Sequence, residues 1–207
     1  MMHEEILTPV QMILAERLVP ALDGYYLAGG TAIALQIGHR RSLDFDFAST
    51  QSVKVFDLER RFLSLSLSVQ AVLAATGDEF TVIMEGVKVT FFHYPFPIKQ
   101  EITWERTGIM MPNIDHLAAM KGYALGRRSK WKDYVDLYFL LRFRVTMEEL
   151  VAAATSVFGA HFNEKLFREQ LCYFNDIDYT ETVELVGQGF PDEEIRAYLQ
   201  AAAIRSL

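Results

Sequence analysis

A single cysteine, Cys172, is all that 207 residues hold. An internal disulfide and a cysteine-based zinc site are thereby excluded. No apolar run approaches the roughly 18 residues that a membrane span needs. The opening MMHEEILTPV lacks the basic and apolar regions of a signal peptide. A cytoplasmic location without a membrane partner is expected. Positive charge is also scarce: 20 Lys and Arg against 27 Asp and Glu leave a net charge of −7, unlike a protein that holds nucleic acid by bulk charge. Neither G-x-x-x-x-G-K-S/T nor G-x-G-x-x-G occurs, so P-loop ATPase and Rossmann readings fail.

What is present is ordinary for a globular protein: 51% hydrophobic and 23% charged residues. The chain is long enough to bury a core as one large domain or two small ones. Charge is unevenly spread. From Lys121 to Lys132 there are five basic residues and no acid, and from Asp176 to Glu194 seven acids and no base. A local basic face can still meet a phosphate-rich substrate.

The stretch Leu27 to Phe47, LAGGTAIALQIGHRRSLDFDF, stands out. A short apolar run meets Gly29-Gly30, and a helix-period segment follows from Thr31. His39-Arg40-Arg41-Ser42 breaks the pattern before strict alternation, with Leu43 and Phe45 on one side and Asp44 and Asp46 on the other. Alternation marks a half-buried strand, on which residues two apart share a face. Two like charges on one face invite a hard cation such as Mg2+, which prefers carboxylate, water and phosphate oxygens. Glycines before a helix let backbone N–H groups approach a phosphate.

GGT, HRRS and DFD together resemble the nucleotidyltransferase superfamily signature, and most closely that of the AbiEii/AbiGii-type nucleotidyltransferase toxins. A second stretch, Asn113 to Leu141, adds to the resemblance. That family carries K-x-x-A-x-x-x-R and then K/R-D-x-x-D-L on the next helix, here Lys121, Ala124, Arg128, then Lys132-Asp133 and Asp136-Leu137. Taken as spacing alone, Lys132 and Asp136 read as a simple surface pair four residues apart. The resemblance instead implies Asp44, Asp46, Lys121 and Asp133 as catalytic residues, with Asp44 and Asp46 as the metal ligands. Gly29, Gly30, Thr31, Arg40, Ser42 and Arg128 would bind nucleotide phosphates. Asp133 would complete the metal shell, hold Lys121, or take a proton from the attacking hydroxyl. One departure is visible: Thr90 stands where many nucleotidyltransferases place a third carboxylate.

The expected fold class is α+β. Residues 1–105 would form a nucleotidyltransferase-like mixed β-sheet with flanking helices. Residues 106–207 would form an all-α region completing the cleft. Ile6 to Leu22 and Asp57 to Leu65 read as helices, and Leu67–Leu73, Phe80–Glu85 and Val87–His93 as strands. Asn113, Ser129 and Thr146 read as N-caps, the last with Glu149 in a capping box. The implied activity is Mg2+-dependent transfer of a nucleoside monophosphate from an NTP to a hydroxyl, with a two-ion site and a tRNA 3′ end as favoured acceptor. A cognate antitoxin encoded by an adjacent gene is the implied partner. The competing expectation is a nucleotide-binding module of the same fold with little or no transferase activity.

Overall fold

The computed structural model describes residues 2–125, 127–187 and 189–205. The chain divides into two compact units, Met1–Gly38 with Ser42–Pro112, and His39–Arg41 with Asn113–Leu207. The short segment His39–Arg41 thus groups with the helical part, although its sequence neighbours on both sides group with the sheet.

In the first unit the elements run α1 (Pro9–Leu18), β1 (Tyr26–Ala28), α2 (Gly29–Ile37), β2 (Asp44–Ser49) and α3 (Val55–Ser64), then β3 (Val69–Ala75), β4 (Glu79–Met84), β5 (Val87–His93), β6 (Gln100–Trp104) and β7 (Ile109–Pro112). Five strands form a mixed sheet in the order β1-β2-β5-β4-β3. Only β2 and β5 are parallel; every other neighbouring pair is antiparallel. The opening helix is shorter than its periodicity suggests. Thr8 and Gln11 cap its start reciprocally, and a 3-10 turn containing Pro20 ends it, since proline cannot donate to a continuing helix. Strand β3 begins two residues later than expected, and β6–β7 is a separate hairpin that the sequence reading did not anticipate.

One face of the sheet is aromatic. Phe45, Phe47, Phe80 and Phe91 are fully buried, and Phe62 of α3 lies over Phe80 and Phe91, with ring centroids 6.3 and 5.6 Å apart. Rings of this size dominate the apolar burial of a small core. The opposite face carries Asp44, Asp46, Lys88 and Thr90 beside one another.

The second unit is helical: α4 (Ile114–Leu125), α5 (Trp131–Phe143), α6 (Met147–Phe158), α7 (Glu164–Cys172) and α8 (Asp192–Ile204). Asn113 Oδ1 accepts from the His116 amide at the start of α4, and Thr146 with Glu149 forms the expected capping box on α6. Ser129 does not cap α5. Lys130 occupies that position without a side-chain capping bond, while Ser129 Oγ donates to Asp176. Helix α4 stops at Leu125, before Arg128. Helix α5 is buried on nearly every side, the mark of a central helix. No described helix is long and apolar enough to cross a membrane.

Candidate active site

The alternation of β2 resolves as its sequence suggests: Phe45 and Phe47 point into the aromatic core and Asp44 and Asp46 to the opposite face. Strand register then brings the glycine turn to the second carboxylate. Ala28 pairs with Asp46, and α2 begins at the next residue. Gly29 has φ +65°, a left-handed conformation that only glycine adopts without strain. A Cβ built there would lie 2.5 Å from Asp46 Oδ2. The carboxylate therefore packs against the bare backbone at the start of α2.

The hydroxyls of the first motif lock this junction. Thr31 Oγ1 lies 2.6 Å from Ser42 Oγ, and Thr31 also donates to the Asp44 carbonyl. Both side chains are buried. Gln11 Nε2 donates to the Ser42 carbonyl at 2.8 Å, so α1 fixes the approach to β2 as well. A helix start and a strand start are tied together within one turn of the two carboxylates.

Beside this pair stands β5. Its parallel register puts Lys88 next to Asp44 and Thr90 next to Asp46, on the same face. Lys88 Nζ is 2.7 Å from Asp44 Oδ2. Thr81 of β4 pairs with Thr90 and donates to Glu79 at 2.6 Å. Among the described residues no three His, Cys, Asp or Glu are grouped as a metal site. What the face offers a cation is a pair of carboxylates. That all-oxygen donor set fits Mg2+, which keeps several waters and takes phosphate oxygens, and does not fit the N/S shell of structural zinc.

The second motif builds a buried ion network inside the helical unit. Asp133 and Asp136, one turn apart on α5, are completely buried. Lys121 Nζ reaches both, at 2.7 and 2.9 Å. Arg128 grips Asp133 with two nitrogens, at 2.8 and 3.2 Å. Arg40 does the same to Asp136, at 2.7 and 3.1 Å, and spends a third nitrogen on the Arg41 carbonyl. His39 Nε2 completes the shell of Asp136 at 2.7 Å. Lys132, which spacing alone would pair with Asp136, is paired with Glu181.

Burial alone would raise the Asp136 pKa, but the charges of Arg40 and Lys121 outweigh it and hold the carboxyl well below its ordinary range. For Lys121 burial again opposes the charged form, and Asp133 and Asp136 more than restore it. Burial wins at His39, whose pKa is lowered despite its bond to Asp136. Of the two phosphate-binding arginines expected from the sequence, Arg40 is buried and fully engaged, whereas the Arg128 side chain is 48% exposed.

The acidic segment also has a place. Asp178 pairs with Lys130 and Leu185 with Arg40 through backbone bridges. The amides of Trp131, Asp178, Arg41 and Val186 all bond across these joints. Glu181 takes both Lys130 and Lys132, and Glu184 takes Arg41 at 2.8 Å. The segment is an acidic strap over the basic run. Burial raises the Glu181 pKa, yet its bonds to the two lysines overcome this and set it at about 2, against an ordinary 4.5. A depressed carboxyl stabilises above its unfolded value and loses that contribution as pH falls through its folded one. Strap protection is therefore expected to fade between pH 4.5 and about 2. Hydrogen exchange at the Trp131, Asp178 and Val186 amides measures it, and Glu181→Gln should loosen the same amides at neutral pH. Unchanged protection in that variant would mean that the backbone bridges alone hold the strap.

Residues 93–202 match the family described as the nucleotidyl transferase AbiEii toxin of type IV toxin–antitoxin systems. The chain belongs to this family. The match spans Lys121, Arg128, Asp133, Asp136 and the strap, and leaves His39, Arg40, the glycine turn and β2 outside. The uncharacterized protein aq_aa25 of Aquifex aeolicus (strain VF5) is 34% identical over 128 residues, which is 58% of this chain and 59% of that protein. The chain thus spans less than two thirds of that curated relative. MenT4, the nucleotidyltransferase toxin Rv2826c of Mycobacterium tuberculosis H37Rv, superposes with a TM-score of 0.59 at 13% identity, covering 94% of this chain and 82% of that one. JHP933 of Helicobacter pylori superposes with a TM-score of 0.54 at 17% identity, covering 97% and 88%. At such identities the likeness establishes a nucleotidyltransferase-like fold for this AbiEii chain.

Proposed function

We propose that this AbiEii-family chain is a Mg2+-dependent nucleotidyltransferase. It would transfer a nucleoside monophosphate from an NTP to an acceptor hydroxyl, with a tRNA 3′ end as favoured acceptor. The observation that carries this reading is the approach of the Asp46 carboxylate to Gly29 at the start of α2, with Asp44 on the same strand face. In the reaction the acceptor oxygen bonds to the α-phosphorus of the NTP. The bond from that phosphorus to the β-phosphate bridge breaks, pyrophosphate leaves, and the hydroxyl proton is given up to solvent. When bound, one or two Mg2+ ions would supply charge stabilisation and lower the pKa of the attacking hydroxyl.

The chain's own residues have separable tasks in this scheme. Asp44 and Asp46 hold the cation. Gly29 and Gly30 let the phosphates approach the backbone N–H groups and positive end of α2. Thr31 and Ser42 position the carboxylates by tying the two elements together. Arg128, half-exposed, is the cation of the second motif assigned to phosphate charge. Lys121 holds Asp133 and Asp136 in register, and Asp133 in return fixes Lys121 and Arg128. An antitoxin encoded by an adjacent gene is the proposed partner, and the cytoplasm the proposed location.

One observation favours a second reading, a nucleotide-binding module without efficient transfer. Thr90 stands beside Asp46 in register, and a hydroxyl is a poor third ligand compared with a carboxylate. Incubating the protein with each labelled NTP, Mg2+ and bulk tRNA separates the two. Transfer of label to the tRNA 3′ end is expected, with Asp46→Ala abolishing it while leaving thermal stability intact. Binding of Mg2+–NTP without transfer to RNA, protein or small-molecule acceptors would select the binding module. Full activity in Asp46→Ala would remove β2 from the active centre.

A further inference from the structure

Lys88 belongs to neither motif, yet its ammonium lies at the carboxylate pair. Parallel register sets it beside Asp44, and Nζ stands 2.7 Å from Asp44 Oδ2. The two side chains are 35% and 24% exposed, so neither is locked in the core and water reaches both. A lysine stem has four rotatable carbons and its head is a compact point charge, able to swing by several ångströms without moving the strand. An ammonium thus sits on a carboxylate oxygen that a hard cation would use. It is tethered, so a free divalent ion must compete with it at high local concentration.

A metal that arrives with a nucleotide changes this balance. The triphosphate carries more negative charge than the metal cancels, which gives the displaced ammonium a new partner next to its old one. The exchange is then paired: the metal goes to Asp44, and Lys88 goes to a phosphate oxygen. Resting on the transferase reading above, we propose that Lys88 is a positioning residue that makes metal binding depend on nucleotide. It guards Asp44 in the unloaded protein and orients the NTP phosphates in the loaded one. Such a device is a coupling between two ligands, and by linkage each strengthens the other.

The test reads binding, not turnover. Mn2+ is titrated into nucleotide-free protein and followed by the electron paramagnetic resonance signal of the free ion. Binding of the Mn2+ complexes of the α,β-methylene analogues of ATP, GTP, CTP and UTP is measured by calorimetry. Lys88→Met keeps the stem and removes the charge. It is expected to bind Mn2+ alone about tenfold more tightly, and the best Mn2+–analogue complex about tenfold more weakly, a coupling of ordinary size. Lys88→Arg, which keeps a cation, should restore both values toward wild type. Equal or weaker Mn2+ binding in Lys88→Met would overturn the guarding role, and unchanged analogue affinity would overturn the orienting role. Failure of the transferase reading looks different: label from no NTP would reach tRNA, protein or a small molecule, or Asp46→Asn would bind Mn2+ as wild type does.

Discussion

Asp136→Ala is expected to cost the helical unit about 3–5 kcal/mol, the range for removing one partner of a buried ion pair. Asp136 is completely buried and accepts from His39, Arg40 and Lys121. Removing it strands the Arg40 guanidinium in the core, while Lys121 and Arg128 keep Asp133. The unpaired charge, more than the lost bonds, sets the magnitude, because an ion in apolar surroundings has no water to replace its partner. Asp136→Asn keeps the shape and an acceptor oxygen, so it should cost less, but still more than a surface pair. Arg128→Ala removes a half-exposed cation and should cost no more than about 1 kcal/mol. Urea unfolding with the slope held constant measures all three. A loss below about 1 kcal/mol for Asp136→Ala would mean that water reaches the network and screens it.

This network matters for reading any activity data on the second motif. Lys121 and Asp133 are expected to be essential groups, and both are also buried partners in the same cluster. Loss of transfer in Lys121→Ala is informative only beside a stability measurement on the same variant. The first motif is free of that difficulty, because its carboxylates sit on a partly exposed strand face.

How far the chain was legible depends on the range of each interaction. Period-two alternation at Asp44 to Phe47 read correctly because it is a local consequence of strand geometry, as did the Thr146–Glu149 capping box. Gly29 read as a turn glycine, but its 2.5 Å approach to Asp46 depends on β1 pairing with β2, which no local pattern encodes. Arg40 and Asp136 are 96 positions apart in sequence. A basic tripeptide between a helix and a strand looks like a phosphate grip until its true partner is known. Lys88 carries no local signal for the same reason, since only parallel pairing of β2 with β5 brings it to Asp44. The β6–β7 hairpin left a local trace, alternation around the turn that ends at Gly108 with φ +78°. Ser129 was a fair cap by residue type, and lost the position because its hydroxyl is committed to Asp176.

Gly29→Ala should nearly abolish transfer while costing only modest stability. The residue's φ of +65° is strained for any L side chain, at roughly 1–2 kcal/mol. That penalty alone is shared by Gly24, at φ +82°, where an added Cβ meets nothing within 4 Å. Gly24→Ala is therefore the matched control for backbone strain without a clash. At Gly29 the added methyl would fall 2.5 Å from Asp46 Oδ2, closer than contact allows, and a tight 3.2 Å from its Cβ. Either the carboxylate rotates away or the first turn of α2 retreats, and both separate the metal ligand from the phosphate-binding amides. Misplacement by about 1 Å can cost on the order of 100-fold in rate, so activity should fall at least that far in Gly29→Ala. In Gly24→Ala it should stay near wild type. Mn2+ affinity offers a second readout, expected to weaken in Gly29→Ala only. Should the two variants lose equal stability and keep equal activity, the approach of Asp46 to the helix start has no part in catalysis, and the proposed site on β2 loses its main support.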